Sequence, residues 1–277
     1  MQAIWATYGE AFTNGVLFVA GFFMLTLWVA SLILKDTSIV DVFWGLGCAA
    51  MAWIFFLTSP GAESRAMLTL ALATAWGVRL GVYIGARNWG AEDPRYARLR
   101  RHITDQGKNY VWHSLRAIFL FQGGAMVVCT LPLLVAIVSP APARLGPAAL
   151  AGATLAAVGI LIETAADWQM AHFRAHRTVP GEVMDRGLWR YSRHPNYFGE
   201  MLIQWGLFLL AVDVGPLGFF TIPAPLTLSY LIMGPMGANL LERRLGKKSP
   251  AYRAYLERTS PFIPWPPKPA VQAESEA

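Results

Sequence analysis

Apolar residues in this chain run in long blocks. They neither alternate nor recur once per helical turn. A helix needs about 20 apolar residues to cross a bilayer. Blocks of that size predict transmembrane helices over Gly15–Leu34, Ile39–Leu57, Ala66–Ala86, Ala117–Val138, Pro147–Met170, Tyr197–Val212 and Phe219–Leu241. The last two are joined by the turn sequence Gly215-Pro216-Leu217-Gly218. Arg79 interrupts the third block, and Pro223, Pro225, Gly234, Pro235 and Gly237 interrupt the seventh. The expected architecture is all-α, a polytopic membrane protein with about seven transmembrane helices in a single domain over residues 1–269. Residues 270–277, after Pro264-Trp265-Pro266-Pro267, predict a frayed acidic tail. No Lys or Arg precedes Lys35, so the first block reads as a retained helix rather than a cleaved signal.

Composition sharpens this class. Of 277 residues, 55% are hydrophobic and 14% charged, against roughly 25% charged in soluble domains. Disorder, collagen and disulfide scaffolds are excluded. The two cysteines, Cys48 and Cys129, lie inside apolar blocks and read as core residues. A net charge of +6 suggests nucleic acid until the charges are located. With seven helices, 20 of the 23 Lys and Arg residues fall on one side of the membrane. Arg65 and Arg144 fall on the other side, and Arg79 lies within a helix. The positive-inside rule then puts the N-terminus outside and the C-terminus in the cytoplasm. The basic excess is membrane topology, and no nucleic-acid recognition module is visible. Nothing points to an obligate protein partner.

The polar residues inside the blocks carry more information, because ionisable groups in a membrane are costly and usually functional. Asp41 opens the second block. Arg79 and Tyr83 share a face of the third, and Glu163 and Asp167 share a face of the fifth. Glu200 opens the sixth and Glu242 closes the seventh. Snorkelling or internal ion pairing, such as Asp41 with Lys35, explains any one of these. Their clustering toward the cytoplasmic half favours a shared polar cavity for a soluble charged cofactor and a lipophilic substrate. The run Asp185 to Glu200 is the densest, with Arg186, Arg190, Arg193 and His194 interleaved with Trp189, Tyr191 and Tyr197. Pro195 within it is a first-turn residue, so the run leads into a helix N-terminus that favours an anion. Arginine forks there suit phosphates. A positive loop held by anionic lipid fits the charge equally well. Asn196 and Glu200 favour a specific pocket. Gly123-Gly124 and Gly85 read as helix-packing positions. Gln122 could line a cavity or simply pack. His172 and His176 lack the Glu of a zinc helix.

The segment Arg186-Gly187-Leu188-Trp189 through Asn196-Tyr197-Phe198-Gly199-Glu200 resembles the C-terminal signature of the steroid 5α-reductase family. Asp41-Val42-Phe43-Trp44-Gly45, the Trp76–Trp89 segment and the ending Tyr252, Tyr255, Phe262-Ile263-Pro264-Trp265 are similar to a bacterial branch of it. The resemblance implies a multi-pass protein of the bacterial inner membrane that uses NADPH. It implies reduction of the 4,5 double bond of a 3-oxo-4-ene steroid. Carried over motif by motif, it implies that Asn196, Glu200, Arg186, Asp167 and Glu163 hold the cofactor, with Arg174, Arg177, Arg79 and Arg87 toward its phosphates. Tyr191, Arg193, His194, Tyr197 and Glu242 complete the expected cofactor set, and no metal is expected. The family's Gln-Glu pair on the second helix is absent here, and Trp76 stands where its tyrosine aligns. Asp41, Trp44 and Tyr83 are therefore the expected residues around the substrate carbonyl, with a neutral Asp or a Tyr hydroxyl donating to it.

Arg193-His194-Pro195, Tyr197, Gly199 and the Glu242, Gly246, Tyr252, Tyr255 series also resemble membrane isoprenylcysteine and phospholipid methyltransferases, which bind S-adenosylmethionine. That cofactor carries no phosphate, so the arginine-rich loops favour the reductase. A seven-span transporter fits less well, since the charges lie to one side rather than at the midplane.

Overall fold

The computed structural model describes residues 2–59, 64–88, 90–140, 144–179, 181–234, 237–238, 242 and 249–269. Among these there is no strand. The helices are α1 (Gln2–Leu34), α2 (Ile39–Leu57), α3 (Ser64–Arg87), α4 (Pro94–Asp105), α5 (Tyr110–Val138), α6 (Pro147–His176), α7 (Pro195–Val212), α8 (Pro216–Met233) and α9 (Pro250–Arg258). Among the described residues six of them, α1, α2, α3, α5, α6 and α8, are long and apolar enough to cross a membrane. Large apolar side chains stand outward on these helices, such as Leu57 at 75% and Leu161 at 69% exposure. Water would penalise such faces and hydrocarbon accepts them. The protein is an all-α, multi-pass integral membrane protein.

Seven spans were expected, and the difference lies in α7. It forms as an 18-residue helix where the sixth block predicts one. Its first turns carry Asn196, Glu200 and Gln204, which lower its apolarity below that of the other six. In the seventh block one helix ends at Met233, and Ala238, near the end of the block, is again helical. The predicted tail, 270–277, lies outside the described residues, as do Trp89, Pro180 and 243–248.

The chain divides into two compact units. The first comprises Met1–Ala157 and Gln204–Leu228; the second comprises Val158–Ile203 and Ser229 onward. In the first unit, α2 and α3 pack at backbone contact. A Cβ on Gly45 would lie 2.7 Å from the Gly77 carbonyl oxygen, and one on Gly81 would lie 3.0 Å from that of Val42. The two helix backbones approach this closely because no side chain intervenes. Pro132 interrupts α5 after Thr130 and removes a backbone donor. Gln204 Nε2 donates to the Cys129 carbonyl at 2.7 Å, one residue before the break. In the second unit, a Cβ on Gly199 would lie 2.7 Å from both the Gly159 carbonyl oxygen and the Glu163 amide nitrogen. The expected packing positions fare differently. Gly123 does meet the Met24 side chain, but Gly124 faces open space and Gly85 makes only ordinary contact with Val42.

Candidate functional site

In the first unit a polar cluster forms where α4 lies against the start of α2. Asp93 caps α4 by accepting from the Arg95 amide at 2.8 Å, and Pro94 follows at the first helical position. Tyr96, Leu99, Arg100 and Ile103 then fall on one helix face. Arg95 Nη2 donates to Asp41 Oδ2 at 2.7 Å, and the Tyr96 hydroxyl donates to Asp41 Oδ1 at 2.7 Å. Gln122 Nε2 donates to the Tyr96 oxygen at 3.2 Å. Asp41 is thus an acceptor on both carboxylate oxygens, and its ion-pair partner is Arg95 rather than Lys35. Burial and then the Asp41 charge push the Tyr96 hydroxyl well above the ordinary tyrosine range, so it keeps its proton. Burial alone would raise the Asp93 carboxyl. The hydrogen bonds and charge of Arg95 together outweigh it and hold the group below the usual aspartate value.

A second network braces the same loop. Arg100 Nη2 donates to Glu92 Oε1 at 2.6 Å, and that oxygen also accepts from the Thr37 amide at 2.8 Å. Nearby on α3, Tyr83 lies between two guanidinium groups, with Arg79 5.7 Å and Arg87 5.9 Å from its ring centroid. Arg87 also pairs with Asp93 at 3.6 Å. Trp44 packs edge-on against Phe23, with ring centroids 6.3 Å apart.

The second unit gathers most of the expected cofactor residues. Glu163, Asp167 and Glu200 are buried, with 2%, 4% and 9% exposure. Glu163 stands on the α6 turn that Gly199 of α7 approaches most closely, so the absent side chain at 199 brings the two acids' helices together. Glu242 joins two basic groups. Arg193 Nη1 donates to its Oε2 at 3.1 Å, and His194 Nε2 lies 2.9 Å from its Oε1. The His194 ring stacks on Tyr197 at 5.5 Å, and Asn196 is half-buried in the first turn of α7. Arg174 and Arg177 are exposed at the end of α6. Arg186 is exposed and pairs with Glu182, and Tyr191 is exposed.

Several motif residues turn out to build the scaffold. Gly187 has φ +57°, and a Cβ there would lie 2.5 Å from Gln169 Oε1, so glycine is required at this point of Arg-Gly-Leu. The Leu188 amide donates to that Gln169 oxygen at 2.9 Å, and Trp189 Nε1 donates to the Ala166 carbonyl at 3.0 Å. Ser192 Oγ donates to the Phe262 carbonyl at 2.6 Å and accepts from the His194 amide at 3.1 Å. The Tyr255 hydroxyl donates to the Trp189 carbonyl at 2.6 Å. The C-terminal Tyr255 and Phe262 thus clamp the loop that carries Arg193 and His194. Burial and then the Glu242 charge push Tyr252, one turn before Tyr255, up to about 12.

Sequence reasoning did not find Arg95 and Tyr96 as partners of Asp41, because the contact spans more than fifty residues and no spacing rule links its ends. The acidic cap Asp93-Pro94 marks the helix start and was the available local signal. Gln169 and Ser192 were likewise invisible, since each acts on a backbone group, and Tyr255 stood out only as part of the C-terminal tyrosine motif.

The family model described as "Protein of unknown function (DUF1295)" matches residues 27–259. Among curated proteins, "Uncharacterized protein C594.04c" of Schizosaccharomyces pombe is 28% identical over 263 residues, covering 86% of this chain and 75% of the relative. No solved structure matches. The match spans both polar clusters and nearly every helix, and the chain belongs to the DUF1295 family of membrane proteins.

Proposed function

We propose that this protein is an NADPH-dependent reductase of enone lipids, acting on the 4,5 double bond of a 3-oxo-4-ene steroid or a similar ring system. The DUF1295 family is related to steroid 5α-reductase-like membrane proteins. One observation carries the reading: a tyrosine hydroxyl that keeps its proton, Tyr96, held between a carboxylate and an amide donor. Such a group polarises a carbonyl, which methyl transfer does not require.

The residues also fit the cofactor's chemistry. Glu163, Asp167 and Glu200 are acceptors for ribose or adenine groups, Asn196 is an amide donor and acceptor, and the exposed Arg174, Arg177 and Arg186 are donors for phosphates. NADPH, when bound, supplies the hydride. Tyr96 turns its proton from Asp41 to the substrate's carbonyl oxygen and stabilises the charge that develops there. Gln122 donates to the same tyrosine oxygen and strengthens it as a donor. Asp41, anchored by Arg95, fixes the ring's position and takes the hydroxyl back when the product leaves. The role expected of Asp41 as a neutral donor passes to Tyr96, with Asp41 as its orienting acceptor.

Glu242, bound to Arg193 and His194 of the Arg-His-Pro string, favours a second reading, an S-adenosylmethionine-dependent membrane methyltransferase. One experiment separates the two. Purified protein is incubated with progesterone and either NADPH or S-adenosylmethionine, and products are weighed by mass spectrometry. The reductase reading expects a gain of two hydrogens with NADPH. A methyl gain, or thermal stabilisation by S-adenosylmethionine and not by NADPH, overturns it.

A further inference from the structure

The helix α4 has two faces with different tasks. Tyr96, Leu99, Arg100 and Ile103 face the protein, and the arginines flanking that face are committed. Arg95 is bound to Asp41 and Asp93, and Arg100 to Glu92 and the Lys35 carbonyl. Arg98, Arg101, His102 and Asp105 form the opposite, exposed face. Among the described residues neither Arg98 nor Arg101 has an ion-pair partner, although Asp105 shares their face. Lys108 follows just beyond the helix. Next comes Trp112, 56% exposed, with Val111 beside it. The Trp112 ring sits 6.5 Å from that of Trp28, whose Nε1 donates to Ser114 Oγ at 3.3 Å.

The setting of this face selects its partner. α4 is 12 residues long and connects α3 to α5, both candidate spans. Its exposed basic groups therefore stand where those spans leave the bilayer, beside exposed tryptophan of the kind that settles at headgroup level. Exposed cationic side chains next to exposed apolar rings define an interfacial surface. Anionic headgroups satisfy the first and the acyl boundary the second. We propose that the Arg98–Arg101 face of α4, with Lys108 and Trp112, binds the headgroups of anionic phospholipids. The bound lipid then holds α4, and with it the Asp41–Tyr96 contact, against the membrane surface.

The test needs neither substrate nor nucleotide, so it stands or falls apart from the reductase reading. Detergent-purified full-length protein is titrated with dioleoylphosphatidylglycerol, dioleoylphosphatidylcholine or inorganic phosphate. Melting temperature and hydrogen exchange across 94–112 are followed. Phosphatidylglycerol is expected to raise the melting temperature and slow exchange in this segment, with high salt weakening both effects. The Arg98→Gln/Arg101→Gln variant is expected to lose at least half of each response, and Arg98→Lys/Arg101→Lys to keep most of it. Both positions are exposed, so the fold tolerates them. Equal responses to the two lipids, an undiminished response in the glutamine variant, or the full effect from inorganic phosphate alone overturns the proposal.

Discussion

At the scale of single residues, the distinction between a polar group that reacts and one that braces comes from its partners. Tyr96 and Tyr255 are both tyrosines that keep their protons, yet Tyr96 faces a carboxylate and an amide side chain while Tyr255 serves two backbone carbonyls. Under the proposed function, Tyr96→Phe lowers turnover by about a hundredfold or more with nucleotide affinity unchanged, as expected for loss of an oxyanion donor. Steady-state kinetics and a binding titration check it. Tyr255→Phe leaves the Trp189 and Ser192 carbonyls without this donor and costs about 1–3 kcal/mol of stability, which denaturant or thermal unfolding reads. Tyr252 adds a pH dependence. Its folded value of about 12 lies above the ordinary 10, so the folded form holds the proton more tightly. Its contribution is complete below pH 10 and is lost as pH rises toward about 12. Alkaline unfolding over that window is expected to be blunted in Tyr252→Phe.

Elements depend on where side chains are missing. α2 and α3 touch through Gly45, Gly77 and Gly81, while α6 and α7 touch through Gly159 and Gly199. At Gly45, Gly77, Gly159 and Gly199 a Cβ would meet backbone atoms, so relaxation requires the helices to separate, whereas at Gly81 the nearest atom belongs to the Leu46 side chain. Gly77→Val and Gly199→Val are therefore expected to destabilise by about 1–3 kcal/mol or more. Gly124→Val, facing open space, is expected to be nearly neutral. Melting temperatures of the three variants in one detergent check this ordering. From the sequence, Gly124 was expected at a helix contact, along with Gly123 and Gly85, while Gly77 and Gly159 were not singled out. Which of them lies at a crossing depends on helix rotation, and local patterning leaves that open.

At the scale of the whole molecule, the span pattern was readable because hydrocarbon imposes a length and an apolarity on any helix that crosses it. The starts of α2, α6, α7 and α8 fall within a few residues of the block boundaries. α1 and α5 extend earlier, over turns too polar to count as membrane blocks. The charge-based orientation counts α7 as a seventh span and predicts that a reporter active only in the cytoplasm works when fused at the C-terminus and fails at the N-terminus. The reverse result would refute the charge-based topology. Asp41, Glu163, Asp167 and Glu200 stood out in the sequence because an acid in an apolar block is expensive wherever the chain folds. The partners of Asp41 did not, because a hydrogen bond between α4 and α2 leaves no periodic trace, and neither does the clamp from Tyr255 onto the 189–192 loop. Hydropathy and charge thus determined by themselves that this is a multi-pass helical membrane protein with its polar chemistry concentrated at a few acids. Only the tertiary structure decided that Asp41 accepts from Tyr96 and Arg95, that Glu242 binds Arg193 and His194, and which glycines bring helices to contact. Burial energies follow from the sequence one residue at a time, whereas partnerships depend on three-dimensional packing.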